Sequence, residues 1–186
     1  MESDTLIKEL EKRLPRKRFD HVLRVTETAK QLAVRFNVPV HKAEQAALFH
    51  DIAKFMEPST MRKLIEEHEE DRRLLDFHHE LWHAAAGRII AEQEFGVKDP
   101  DILNAIRFHT TGRAGMSALE KLIYIADLIE PGRDFPNIEN LRAAANLQID
   151  EAMKACIIHS VHYLIDRRAA VFPDSIDCYN EHVQRI

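Results

Sequence analysis

Cysteine is scarce in this chain of 186 residues: only Cys156 and Cys178 occur, and neither belongs to a Cys-x-x-Cys pair. A disulfide framework finds no support, and the pattern suits a reducing compartment. Long apolar runs are missing too, since none approaches the ~20 residues needed to span a bilayer. The stretch Met1 to Leu10 carries charges throughout and has no apolar segment of signal-peptide type. Nor is there an excess of positive charge. Lys and Arg number 26 against 31 Asp and Glu, a formal net charge of −5. General nucleic-acid binding, which leaves a strongly basic face, is therefore not expected, although a local basic pocket for phosphates is compatible with the balance. The expectation is a cytoplasmic protein with neither a membrane nor a nucleic acid as partner. Sustained period-two alternation is absent, so strands are not expected either.

What the chain does have is helical periodicity nearly everywhere. Val22, Val25, Ala29, Leu32, Ala33 and Phe36 form one apolar stripe along a helix over 19–36. After Asn37-Val38-Pro39 a helix is predicted over 40–55, followed by a charged one over 57–68 and another over 80–95, closed by Gly96. Asp99-Pro100 supplies a cap and a first-turn proline for a helix through His109. Ser117 with Glu120 is a capping box for a helix over 118–130, stopped by Pro131-Gly132. A last long helix is predicted over 150–170. The fold class is all-α, a helical bundle of roughly seven to nine helices, read as a single domain over 1–186 with its core at about 18–175.

Against this background six polar residues stand where packing alone would prefer Leu or Ala. His50-Asp51 interrupts the apolar run Ala46 to Lys54, and His21, His83, His109 and Asp127 are each set in other helix-forming runs. Burying such groups is costly unless a partner satisfies them, and a metal ion would satisfy several at once. Lys54 lies one turn beyond the doublet and Arg18 stands three residues before His21, so cations adjoin the candidate ligands. Mixed His/Asp ligation suits a divalent ion and hydrolysis. The cations would bind an anionic substrate, phosphate above all. Taken singly, each residue has an ordinary reading. His50 could be a satisfied core histidine, Asp127 a solvent-facing residue, and His109 a cation at a helix C-terminus.

Order and placement carry more than any single residue. A His, a distant His-Asp doublet and a still more distant Asp (His21, His50-Asp51 and Asp127) resemble the pattern of the HD-domain superfamily of metal-dependent phosphohydrolases. The segments His50-Asp51-Ile52-Ala53-Lys54, His83-Ala84-Ala85-Ala86-Gly87, Arg107 to Arg113 and Asp127 to Arg133 resemble the YqeK-type branch, symmetrical diadenosine tetraphosphate hydrolases that release two ADP. The likeness runs from about Arg18 to Ser175. It departs at Asn137, where a glycine is expected after Phe135-Pro136.

The resemblance implies that His21, His50, Asp51 and Asp127 hold a metal, iron by analogy, with Mn, Co or Zn also compatible with these ligand types. His83 and His109 would face the same cavity, on a phosphate or a second metal or in a catalytic role assisting proton transfer. Arg18, Lys54, Arg133 and Thr110 would take phosphate oxygens, and Ala170, Val171, Phe172, Pro173, Asp174 and Ser175 would line the nucleoside end. For Phe172 alone, core packing is the commoner role. The partner expected is a small dinucleoside polyphosphate, with ADP as product, and Trp82 with the Phe-rich segments would permit a homodimer. Other readings are an HD phosphohydrolase acting on a deoxynucleoside monophosphate or a guanosine alarmone, a non-catalytic nucleotide sensor, and a helical scaffold with structural histidines.

Overall fold

The computed structural model describes residues 3–183, and all regular structure among them is helical. Ten α-helices follow one another: α1 Ser3–Arg13, α2 Arg16–Arg35, α3 Val40–Phe49, α4 Pro58–Glu67, α5 Trp82–Gln93, α6 Pro100–Phe108, α7 Ala118–Ile129, α8 Ile138–Ala145, α9 Ile149–Asp166 and α10 Pro173–His182. Two short 3-10 turns, Arg72–Asp76 and His79–Leu81, join α4 to α5. The all-α expectation holds, with one helix more than the expected range. The additions are α1, α8 and α10, short elements outside the seven stretches that periodicity outlined. No helix of the described residues is long and apolar enough to cross a membrane.

The centre of the bundle is α7. Leu122, Ile123, Ile125 and Ala126 are all buried, so this helix is apolar nearly all round, as a core helix must be. It packs against α2, α3, α6 and α9. The capping box predicted at its start is present: Ser117 Oγ accepts from the Glu120 N–H, and Glu120 Oε1 accepts from the Ser117 N–H. The apolar stripe of α2 is buried against α3 and α7. Leu6, Leu10 and Leu14 seal the α1 side, and each buried leucine contributes about 1.5–3 kcal/mol.

Three expectations are corrected. The helix holding the doublet stops at Phe49 rather than Phe55, and His50 to Phe55 form tight turns with i→i+3 bonds such as Lys54 N–H to Asp51 O. The cause is His50 itself. Its ring Nδ1 donates to Ala47 O at 2.6 Å, taking the carbonyl that the Asp51 amide would use in a continuing helix. The last long helix stops at Asp166 rather than Ala170, where Arg168 adopts a left-handed backbone, φ 55°. Trp82, read as available to a second copy, is buried, with its indole N–H on Leu74 O.

Candidate metal and phosphate site

Four elements converge beside α7. His21 comes from α2, His50 and Asp51 from the end of α3, His83 from the first turn of α5, His109 from the end of α6, and Asp127 from α7 itself. The four imidazoles form a chain, with ring centroids 5.6 Å apart for His21–His50, 5.0 Å for His50–His109 and 5.0 Å for His109–His83. All four are buried.

One local device orients three of the rings. His50, His83 and His109 each give Nδ1 to the carbonyl three residues earlier: Ala47 at 2.6 Å, Glu80 at 2.6 Å and Ile106 at 2.8 Å. A carbonyl can only accept, so Nδ1 carries the proton in each, and Nε2 turns inward. His21 follows the same rule with a side chain, its Nδ1 lying 3.0 Å from Glu130 Oε1. The inward Nε2 atoms meet two carboxylates. Asp127 Oδ1 lies 3.0 Å from His21 and 4.0 Å from His50. Asp51 Oδ2 lies 3.7 Å from His21 and 3.4 Å from His50, while its Oδ1 lies 3.2 Å from His83 and 4.0 Å from His109. Asp51 thus faces two pairs of imidazoles, one with each oxygen.

This donor set fits a metal ion. Nε2 of His21 and of His50 is buried with no hydrogen-bond partner. Nε2 of His83 stands 3.1 Å from Nε2 of His109, both with Nδ1 already committed, so a proton or a metal ion is what can reconcile the two facing nitrogens. Two overlapping groups, His21/His50/Asp127 and His50/Asp51/His109, each bring their ligand atoms within 4.8 Å of one another. Electrostatics agree. Burial would raise Asp51, but His50 and His83 hold it well below the ordinary carboxylate range. Burial also opposes ionisation of Asp127, yet the His21 imidazole at 3.0 Å and the Arg133 charge keep it strongly depressed. Both are therefore anionic. Burial, then repulsion from His50 and His83, lowers His109 to about 3, so it is neutral and able to ligate. Burial pulls His50 down as well, but Asp51 and Asp127 outweigh it and raise the ring. At His50 a proton and a metal are alternative ways of meeting the same two carboxylates.

The cations stand at the rim. Arg18 donates to Asp51 Oδ2 at 2.7 Å, Arg133 Nη2 to Asp127 Oδ1 at 2.6 Å, and Lys54 to Glu80 Oε2 at 2.6 Å. Each keeps further N–H donors. Thr110 Oγ1 is buried without a partner and lines a cleft of about 760 Å³ with Arg133, Leu128, Phe135, His159 and Tyr163. The run Ala170–Ser175 is not among the residues lining that cleft. Phe172 and Ser175 are buried, Phe172 edge-on to Phe77 at 5.1 Å, and Asp174 pairs with Arg73 at 3.0 Å. Phe172 is a core residue.

Reading the residues alone gave no role to Glu130, Glu80, His159 or Tyr163. Glu130 had a signal, lying three residues after Asp127 and so on the same helix face. It is buried, accepts from His21, from Arg24 Nε at 2.6 Å and from the Gly132 N–H, and is held at about 2 because these partners outweigh burial. A Cβ at Gly132 would stand 2.5 Å from Arg24 Nε, so a larger residue there would displace the Arg24 guanidinium from Glu130. At Asn137 the expected glycine has a physical basis: φ is 69°, a left-handed position that asparagine tolerates better than most residues.

Comparison with known proteins agrees with this geometry. The HD domain model matches residues 18–132. The chain is 42% identical over 171 residues to the symmetrical bis(5'-nucleosyl)-tetraphosphatase of Bacillus subtilis, covering 92% of each. It is 41% identical over 164 residues to the protein of the same name from Halalkalibacterium halodurans, covering 88% of each. A crystal structure of an HD superfamily hydrolase from Clostridium acetobutylicum, described as involved in NAD metabolism, superposes with a TM-score of 0.93 at 36% identity, covering 98% of this chain and 97% of that one. The chain belongs to the HD-domain family, on the branch of the symmetrical bis(5'-nucleosyl)-tetraphosphatases.

Proposed function

We propose that this protein hydrolyses diadenosine tetraphosphate symmetrically into two ADP. The observation that carries the reading is the convergence of four Nε2 atoms on Asp51 and Asp127, with Arg18 and Arg133 held on those same carboxylates. His21, His50, Asp51 and Asp127 would hold a divalent metal, for which iron is our assignment. Bound there, such an ion supplies Lewis acidity that makes water nucleophilic near neutral pH. His83 and His109 would contact the transferred phosphoryl group or a second ion. The residues 1–186 are taken as one domain with its core at about 18–175, since one apolar cluster runs from Leu6 to Cys178. Residues 1–2 and 184–186 lie outside the described residues.

The reaction forms a bond between water oxygen and one of the two central phosphorus atoms. The bridging P–O bond breaks, its electron pair leaves with ADP, and a proton is released. ADP is a good leaving group and needs little protonation, so no general acid is demanded. The task of this chain's residues is positioning and charge stabilisation. Arg18 and Arg133, each anchored on a carboxylate, present their remaining donors to the phosphate oxygens, and Lys54, held by Glu80, adds a third cation. Thr110 offers its unpartnered hydroxyl. One nucleoside would occupy the cleft of about 760 Å³, whose wall of Phe135 stacked on His159 at 4.5 Å suits a base. Of Ala170–Ser175, the exposed Ala170 and Pro173 and the partly buried Val171 and Asp174 are assigned to its edge, whereas Phe172 and Ser175 contribute packing.

The test is product analysis. Metal-loaded protein incubated with diadenosine tetraphosphate in ¹⁸O-water is expected to yield ADP alone, with label in one of each two product molecules. ATP with AMP, or no turnover, would overturn the assignment.

A further inference from the structure

A second cleft, of about 490 Å³, lies between the start of α2 and the loop after α7 and shares Arg133 and Phe135 with the larger one. His21, with its unpartnered Nε2, lines it. So do Lys17, Arg18, Arg24 and Phe55, against two carboxylates, Asp134 and the Glu130 already paired with Arg24. The first turn of α2 reads Arg16-Lys17-Arg18, with no acidic residue and no side-chain cap. That reverses the usual bias, since a helix N-terminus carries about half a positive charge and each cation beside it costs about 0.3–1 kcal/mol. Arg16 is offset by Asp20, Arg18 by Asp51 and Arg24 by Glu130. Lys17 enters no ion pair among the described residues. Phe55, the first aromatic residue after the doublet, is left 58% exposed at this cleft.

A positive helix end, an uncommitted lysine and an exposed aromatic ring, all beside an imidazole of the candidate metal site, match a phosphate chain ending in a planar base. The substrate assigned above has two identical halves, and a central cut puts its middle phosphates at the histidine–carboxylate cluster. The larger cleft accounts for one half only. We propose that the smaller, cationic cleft is the subsite for the second nucleoside diphosphate, with Lys17 and Arg24 on its phosphates and Phe55 against its base. The inference rests on the function proposed above. The two clefts meet at Arg133, so the shared arginine marks where the halves join.

The test compares diadenosine tetraphosphate with adenosine 5'-tetraphosphate, which has the same four phosphates but one nucleoside, on the metal-loaded full chain. Wild type is expected to favour the two-nucleoside compound in kcat/KM. Phe55→Ala should reduce that preference about tenfold, as loss of one base–aromatic stack implies. Lys17→Glu should raise KM for diadenosine tetraphosphate about tenfold at little change in kcat, and Lys17→Arg should restore it. Both side chains are exposed, and thermal midpoints check that the variants fold. Equal kcat/KM for the two compounds in wild type, or an unchanged preference in Phe55→Ala, would overturn the subsite and leave the hydrolase reading standing. No turnover of either compound by wild type would overturn the hydrolase reading and the subsite with it.

Discussion

Removing Glu130 tests whether the ring orientation seen at His21 sets the affinity of the site. In Glu130→Ala the His21 Nδ1–H loses its acceptor and the Arg24 guanidinium its ion pair. A buried donor left unpaired costs about 1–3 kcal/mol. Arg24 is 38% exposed and can be rehydrated, so its share lies nearer the ~1 kcal/mol of a surface pair than the 3–5 of a buried one. Together these come to about 3 kcal/mol, and at ~2–4 °C per kcal/mol for a chain of this size the thermal midpoint should fall by about 6–12 °C. The imidazole, freed to rotate and to exchange tautomer, should bind metal 10–100-fold more weakly, roughly the effect of losing an outer partner of a ligating histidine. Glu130→Gln keeps an oxygen for the Nδ1–H but loses the charge and the second oxygen that accepts from Arg24 and the Gly132 N–H, so its affinity loss should stay below about tenfold while its midpoint still falls. The assay is competition for metal with a chromophoric chelator, alongside thermal unfolding of the metal-free protein. An alanine variant that binds metal as tightly as wild type would refute the reasoning, because His21 would then need no orienting partner.

Asp51→Ala should abolish both stoichiometric metal, measured by plasma spectrometry, and turnover, since Asp51 offers an oxygen to each pair of imidazoles. Full activity in that variant would sink the site. Ser117→Ala removes one half of the capping box on α7 and should cost about 1 kcal/mol, a drop of ~2–4 °C in midpoint by calorimetry, with the metal ligands untouched. Asn137→Ala should cost about 1 kcal/mol because φ is 69° there, whereas Asn137→Gly should be close to neutral in urea unfolding. The Cys156 and Cys178 thiols, both buried and pushed up to about 12, should resist a disulfide-exchange reagent at pH 8 in the native state and react only on unfolding.

Most of the fold was legible because its helices announce themselves twice, by an apolar stripe and by an end signal. α7 has Ser117 and Glu120 before it and Pro131 after it, and its observed span differs from expectation by a single residue. α6 has Asp99-Pro100 and behaves alike. Where only one signal was present the reading drifted. The predicted helix over 150–170 overruns α9: Ile165 is apolar in sequence, yet it is exposed and the chain turns at Arg168. The predicted helix over 40–55 overruns α3 because apolar residues such as Ile52 and Ala53 continue past Phe49, and they are buried in a tight turn just as they would be in a helix. No propensity rule sees that a histidine ring has taken a backbone carbonyl.

That stolen carbonyl explains why the site was only half legible. Ligand types and order are properties of sequence, so His21, His50, Asp51, His83, His109 and Asp127 could be gathered before any coordinates. What turns six polar residues into one centre is the direction of each ring, and direction is set by acceptors that have no signature. Three of those acceptors are main-chain carbonyls, of Ala47, Glu80 and Ile106, whose side chains are irrelevant to the role. A residue can be read from a sequence; a carbonyl three places before a histidine is present before every histidine. It becomes an orienting group only where the helix ends, as at Phe49 and Phe108, or is just beginning, as at Trp82. The helix boundaries and the site are therefore one feature. The same Nδ1 bond takes a carbonyl that a continuing helix would use and turns Nε2 toward the carboxylates, so a substitution that extended α3 past Phe49 would also turn His50 away from Asp127.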